Sequence, residues 1–205
     1  MSHALRHEPW LYDLELDDAG WVDVDQLLDA LHRLDNRWAD VDRSTLSRTI
    51  AASDKQRHEL LGDRIRAIYG HSVPGRILRE PAKPPEVLYH GTDPAVLDDV
   101  LATGLRPMRR QYVHLSPDPA TAVQVGLRKA RPCAVLRVDA GAASADGTAF
   151  YRGNPQVWLA DAVPTQYLHV EPGAVAGKPD DLGAPAGTSI GGPDDTAGDD
   201  HRSVR

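Results

Sequence analysis

The sequence predicts an α+β protein of two lobes followed by a disordered tail. Three observations carry this expectation. Helical patterns fill the first 52 residues and lead into a hairpin signal at Gly62-Asp63. Short apolar runs suited to strands dominate residues 87–170. After Glu171 the composition collapses into Gly, Ala, Pro, Asp and Ser without one aromatic residue, and such a chain cannot bury a core.

Taken in order, Ala4-Leu5-Arg6-His7 reads as the end of a helix stopped by Pro9. Asp18-Ala19-Gly20 is a turn and Trp21-Val22 a short strand. Asp23 caps a helix whose face is Val24, Leu27, Leu28, Leu31 and Leu34. A further helix spans Asp42 to Ala52, with Leu46 and Ile50 one turn apart. Arg57–Leu61 and Arg64–Tyr69 flank Gly62-Asp63 as a β-hairpin. Helices followed by a hairpin describe a winged-helix module over residues 1–80. Five prolines and glycines within 73–86 mark a linker or a long crossing loop.

The second lobe, residues 81–171, offers strands at 87–90, 112–115, 133–138, 149–151, 157–159 and 166–170. Asp93 can cap a helix that starts on Pro94, carries Val96, Leu97, Val100 and Leu101, and leaves at Gly104. Asp118-Pro119 opens another that runs to Leu127. Two histidines, His90 and His114, therefore sit on two strands joined by a helix. Gly91 beside His90 removes a Cβ where something must approach the backbone, and Thr92 faces the same space. Residues 172–205 form the tail, with a net charge of −3.

The formal net charge of −7 speaks against nucleic acid, but the charge is uneven. Residues 55–83 carry net +4 and residues 105–137 net +6, and local sign decides where a polyanion docks. A single cysteine, Cys133, rules out an internal disulfide and fits a reducing, cytoplasmic setting; its apolar neighbours make it a buried, inert thiol. No signal peptide, membrane-spanning run or lipidation motif is present, so no membrane partner is expected. Nine histidines occur without HExxH, a Cys pair or a carboxylate-rich loop, which argues against a metal. Arg6-His7, Arg57 and Arg109-Arg110 lie on separate turns. Together they suit a fork of guanidinium groups around a phosphate, with an imidazole to move protons.

Several motifs occur in a fixed order: Leu5-Arg6-His7-x-Pro9, Gly20-Trp21-Val22, Asp54-Lys-Gln-Arg57, Arg66-Ala67-x-x-Gly70-His71-Ser72, Tyr89-His90-Gly91-Thr92, Met108-x-Arg110-x-x-Val113-His114-Leu115-Ser116 and Asn154-x-x-Val157-Trp158-Leu159. This set resembles the RNA 2′-phosphotransferases of the Tpt1/KptA family, over residues 2 to about 170. The resemblance implies an N-terminal winged-helix lobe and a C-terminal ADP-ribosyltransferase-like lobe. It implies a reaction between NAD+, as co-substrate without a metal, and RNA bearing an internal 2′-phosphate. The phosphate attacks the nicotinamide riboside carbon to form RNA-2′-phospho-ADP-ribose. The ribose 2″-OH then attacks phosphorus, releasing 2′-OH RNA and ADP-ribose 1″,2″-cyclic phosphate.

The family's catalytic set falls on Arg6, His7, Arg57 and Arg110, and its dinucleotide pocket on Arg66, His71, Ser72, His90, Gly91, Thr92, His114, Ser116 and Val157. Two departures stand out. Little chain precedes the Leu5-Arg6-His7 turn, and Asn154 is followed by Pro155-Gln156 where the family commonly has a tighter Asn-Gly-Val run. Many protein-directed ADP-ribosyltransferases hold the ribose hydroxyl with a Glu. No Glu occurs between residues 87 and 170, and Val157 takes that place in the resemblance. The expected protein is thus a cytoplasmic, monomeric tRNA-splicing-type transferase. Two other readings stay open: an ADP-ribosyltransferase acting on protein or nucleic-acid phosphate ends, and a non-catalytic winged-helix module for which Arg6, His7 and Arg57 are only a basic surface.

Overall fold

A computed structural model describes residues 1–128 and 130–172; the expected tail lies, beyond Pro172, outside the described residues. The chain is mixed α and β, built on three small antiparallel sheets. The first hydrophobic core gathers α1 (Ser2–Arg6), β1 (Trp21–Asp23), α2 (Val24–Leu34), α3 (Arg43–Ala51), β2 (His58–Leu61) and β3 (Arg64–Ala67). The strands pair in the order β1-β3-β2, with Trp21 opposite Arg66 and Leu60 opposite Ile65. Asp23 caps α2, as the spacing predicts, by accepting from the backbone N–H of Asp25 and Gln26; Asp42, the expected start of the next helix, caps α3 through Thr45. Leu5, Leu27 and Ile65 are fully buried at the centre, and each contributes about 2 kcal/mol of transfer free energy. Leu34 does not join that face. It ends α2 and is 57% exposed, because the core stops one turn earlier.

The second core lies between two sheets, β4-β6-β9 and β5-β8-β7. Their strands are β4 (Leu88–Thr92), β5 (Val113–Leu115), β6 (Ala134–Val138), β7 (Phe150–Asn154), β8 (Val157–Ala160) and β9 (Leu168–Val170). Leu88, Leu115, Leu136 and Phe150 are at most 2% exposed there. A bridge joins the sheets: Tyr89 and Ser116 exchange both backbone hydrogen bonds, at 2.9 and 2.8 Å. That bridge sets the two histidine-bearing strands side by side. The helix expected from Pro94 divides into a 3₁₀ turn, Pro94–Val96, and α4 (Leu97–Thr103). Leu97, Val100 and Leu101 pack on the core, whereas Val96 is 44% exposed in the tighter turn. α5 (Pro119–Gly126) starts on the Asp118 cap. α6 (Ala140–Ala145) has no counterpart in the sequence reading, since an Ala-Gly-Ala-Ala-Ser-Ala run carries no apolar period.

The segment 73–86 is a strap fixed to both cores. Leu78 N–H donates to the Asp18 carbonyl (2.7 Å) and Ile77 N–H to Gln111 Oε1 (2.9 Å). Tyr112 Oη donates to the Ile77 carbonyl (2.7 Å), and Ala82 N–H to the Phe150 carbonyl (2.8 Å). Its prolines fix an extended path with few backbone donors left to satisfy. Cys133 is free and buried, as expected. No helix among the described residues is long and apolar enough to cross a membrane.

Candidate active site

Arg6 and His7 leave the end of α1 and are pinned from the other side of the first core. Ser72 N–H donates to the Arg6 carbonyl at 2.8 Å, and Ser72 Oγ lies 2.8 Å from His7 Nδ1. The serine thus fixes both the backbone and the ring. The Arg6 side chain donates to the Arg57 carbonyl (3.2 Å) and lies over the Tyr69 ring, 5.3 Å from its centroid. Its Nε is buried without a hydrogen-bond partner.

Burial, followed by the positive charges of Arg57 and Arg110, holds Arg6 below the ordinary arginine range. Burial, His3, Arg6 and Arg110 likewise hold His7 below the ordinary histidine value, so its neutral imidazole dominates at neutral pH. Three guanidinium groups and one imidazole, from positions 6, 7, 57 and 110, are therefore gathered in space. Among the described residues none of the three arginines has a carboxylate ion pair. Arg57 and Arg110 are exposed, so the cluster is open to an anion from solvent.

The second core meets this cluster through Tyr69 and Asn154. The Tyr69 ring stands edge-on to His114 at 6.0 Å. Asn154, 8% exposed, donates from Nδ2 to the Gln56 carbonyl (2.9 Å) and to Tyr69 Oη (3.3 Å), while its Oδ1 accepts from Gln156 N–H (2.8 Å). Asn154 therefore clamps the residue before Arg57, and the Pro155-Gln156 turn serves the clamp. Tyr69 was hidden in an unassigned place of the Arg66–Ser72 motif; its only sequence signal is an aromatic residue at the end of a hairpin strand.

His90 Nδ1 donates to the His114 carbonyl at 2.8 Å, which fixes the ring between β4 and β5. Ser116 is buried at the β4–β5 bridge, Thr92 ends β4 opposite Ala134, and Val157 opens β8 against Tyr112, Tyr151 and Leu159. Gly91 has an immediate reason of its own. A Cβ there would overlap the Ala122 carbonyl of α5, so the close approach that the glycine permits is by a helix of the same chain. Arg66 is engaged elsewhere: it pairs with Glu59 at 2.7 Å and stacks 4.3 Å over Trp21.

His71 is 3% exposed and its Nε2 has no partner; burial first, and then the charges of Arg79 and Arg6, bring its pKa down to about 3. The folded chain keeps this ring neutral, whereas the unfolded chain protonates it below about 6.5. Stability is therefore lost as pH falls through that window. Lowering pH from about 7 to about 5 should cost about 2 kcal/mol through His71. His58, held near a pKa of about 4 by burial, acts in the same direction. Urea unfolding of the wild type and of His71→Gln checks this: the variant should lose distinctly less stability on acidification, and an identical loss would exclude His71 as the source.

The family model described as RNA 2′-phosphotransferase, Tpt1/KptA family, matches residues 1–162. Curated relatives carry the name "Probable RNA 2′-phosphotransferase". The relative from Bacillus thuringiensis subsp. konkukian is 50% identical over 170 residues, 83% of this chain and 91% of the relative. That from Acetivibrio thermocellus is 49% identical over 171 residues, 83% and 93% of the two chains. That from Streptomyces griseus subsp. griseus is 45% identical over 177 residues, 82% and 92%. The match runs through both cores and through every turn that supplies the cationic cluster, and the chain belongs to the RNA 2′-phosphotransferase, Tpt1/KptA family.

Proposed function

We propose that the protein removes an internal 2′-phosphate from RNA in an NAD+-dependent reaction, through RNA-2′-phospho-ADP-ribose, with release of nicotinamide and ADP-ribose 1″,2″-cyclic phosphate. The observation that carries this reading is the gathering of Arg6, His7, Arg57 and Arg110 without a carboxylate partner among the described residues. On this reading residues 1–80 are a winged-helix lobe that holds the RNA phosphate, and residues 81–171 an ADP-ribosyltransferase-like lobe that holds the dinucleotide.

Three contacts support the dinucleotide part of this reading. The ring of His90 is already oriented by the His114 carbonyl, the two strands are locked by the Tyr89–Ser116 bridge, and Tyr69 links His114 to Arg6. When bound, NAD+ supplies an electrophilic ribose carbon. Arg57 and Arg110 align the phosphate and hold its negative charge. Ser72 occupies Nδ1 of His7, which leaves Nε2 to carry the proton in the second step. An acceptor phosphate is already an anionic nucleophile and needs no base, so the apolar Val157 in place of a Glu is consistent with it.

The test is incubation with a 2′-phosphorylated oligoribonucleotide and NAD+. Dephosphorylated RNA and ADP-ribose 1″,2″-cyclic phosphate are expected in equal amounts. Phosphate release that does not require NAD+ would refute the mechanism. Stable ADP-ribosylation of RNA or protein without the cyclic product would turn the assignment to an ADP-ribosyltransferase.

Asn154→Ala tests the clamp. Removing the donor of this part-buried hydrogen bond to the Gln56 carbonyl should cost about 1 kcal/mol. Misplacing the adjoining Arg57 should also slow turnover roughly tenfold or more. Urea unfolding and steady-state assays read the two effects separately. Lower stability with unchanged turnover would show that the clamp does not position Arg57.

A further inference from the structure

A second cationic cavity, of about 500 Å³, opens between the β2–β3 hairpin, the end of α3 and the end of β7. Arg66, Arg79 and Arg152 line it, and its one acidic lining residue is Glu59. That carboxylate is taken up by Arg66, at 2.7 Å. Arg79 comes from the strap and has no ion pair among the described residues; its Nε is buried without a hydrogen-bond partner. Burial, and then the Arg66 charge, hold its pKa down to about 10. Arg152 projects from the exposed face of β7, its guanidinium 5.4 Å over the Trp158 ring. The cavity thus keeps two cations more than its acid can balance. An excess of guanidinium charge lining a concave site suits an oxyanion.

The position of the cavity says which anion. Gln56 lines it and immediately precedes Arg57, and Asn154, also in its wall, holds the Gln56 carbonyl. The cavity therefore adjoins the turn that presents Arg57. A nucleotide with an internal 2′-phosphate carries a phosphodiester on each side. We propose that the cavity is an anion subsite for the RNA phosphodiester adjoining the 2′-phosphorylated nucleotide, with Arg79 and Arg152 as its donors. The inference rests on the RNA reading above and extends it from the reacting phosphate to the chain that carries it.

The test is equilibrium binding without NAD+, so that nothing turns over. A fluorescent 2′-phosphorylated oligoribonucleotide is titrated at several salt concentrations, alongside the same oligonucleotide with neutral methylphosphonate linkages flanking the phosphorylated nucleotide. For the wild type the neutral linkages should weaken binding roughly tenfold. Arg79→Gln and Arg152→Gln should each weaken binding of the natural oligonucleotide about tenfold and lower the salt slope by about 0.7. Each should also lose most of the contrast between the two linkages. Arg152 is exposed, so its variant keeps the test intact if Arg79→Gln lowers the melting temperature.

Variants that bind both oligonucleotides as the wild type does would overturn the subsite. So would variants whose NAD+ affinity falls while RNA affinity holds, because the cavity would then serve the dinucleotide's diphosphate. A wild type that shows the linkage contrast yet forms no cyclic phosphate would refute the reaction and retain the subsite. A wild type that turns RNA over with no contrast would refute the subsite alone.

Discussion

Replacing Arg57 or Arg110 with alanine should slow phosphate removal about a hundredfold, with RNA-2′-phospho-ADP-ribose accumulating in the variants and not in the wild type. In the proposed first step a phosphate that is already charged displaces a neutral nicotinamide, so the two guanidinium groups mainly align it. In the second step charge builds on a phosphorane, where preorganised donors help most. Losing one guanidinium donor to the phosphorane costs about 3 kcal/mol. The backbone of both arginines is fixed, and their side chains are exposed to an incoming phosphate. The Arg57 carbonyl accepts from Arg6 and from Ile68 N–H (3.2 and 2.9 Å), and Arg110 closes a turn on the Pro107 carbonyl (3.1 Å). Both charges reach Arg6. Lysine at either position should rescue poorly, because it keeps the charge and loses the planar fork. A single-turnover time course that resolves substrate, intermediate and product reads the effect. Alanine variants that turn over like the wild type would move the phosphate site elsewhere.

Gly91→Ala should destabilise the protein by about 3 kcal/mol, a fall of roughly 6–12 °C in melting temperature. The new Cβ would overlap the Ala122 carbonyl oxygen, come within 3.0 Å of its carbon, and lie 3.1 Å from the Cα of Gly126. These are backbone atoms of α5 and no rotamer change can relieve them. α5 must retreat from β4, and the seam behind the His90 strand opens. Differential scanning calorimetry with parallel NAD+ titration separates this from a ligand role. A glycine kept only for the dinucleotide would lose NAD+ affinity at an unchanged melting temperature; the packing account expects the melting temperature to fall.

Much of this architecture is local chemistry and is legible as such. Asp23, Asp42 and Asp118 cap the helices their spacing assigns to them, Gly62-Asp63 turns the hairpin, and the short apolar runs become strands. The arginine–histidine turn and the arginines at 57 and 110 are visible because phosphate chemistry favours a particular side chain. Where propensity is weak the sequence is silent: α6 carries no apolar period, and Leu34 and Val96 sit on helical faces that outrun the core. A proline-rich stretch that reads as a linker or a long crossing loop proves to be the latter, a strap, because its bonds go to Asp18, Gln111, Tyr112 and Phe150, partners far along the chain.

By itself the sequence determined most of the strands, the capped helices, the separate cationic turns and the family to which they belong, since each depends on residues near one another or on an ordered set of motifs. Only the tertiary structure decided what those turns meet. It brought Arg110 to Arg6, set Asn154 on the Gln56 carbonyl, and assigned the Gly91 gap to α5. It also left the Arg79 Nε buried without a hydrogen-bond partner among the described residues. The physical reason is common to all four. Desolvation, charge proximity and steric overlap depend on distances between residues tens of positions apart, and spacing along the chain does not encode them.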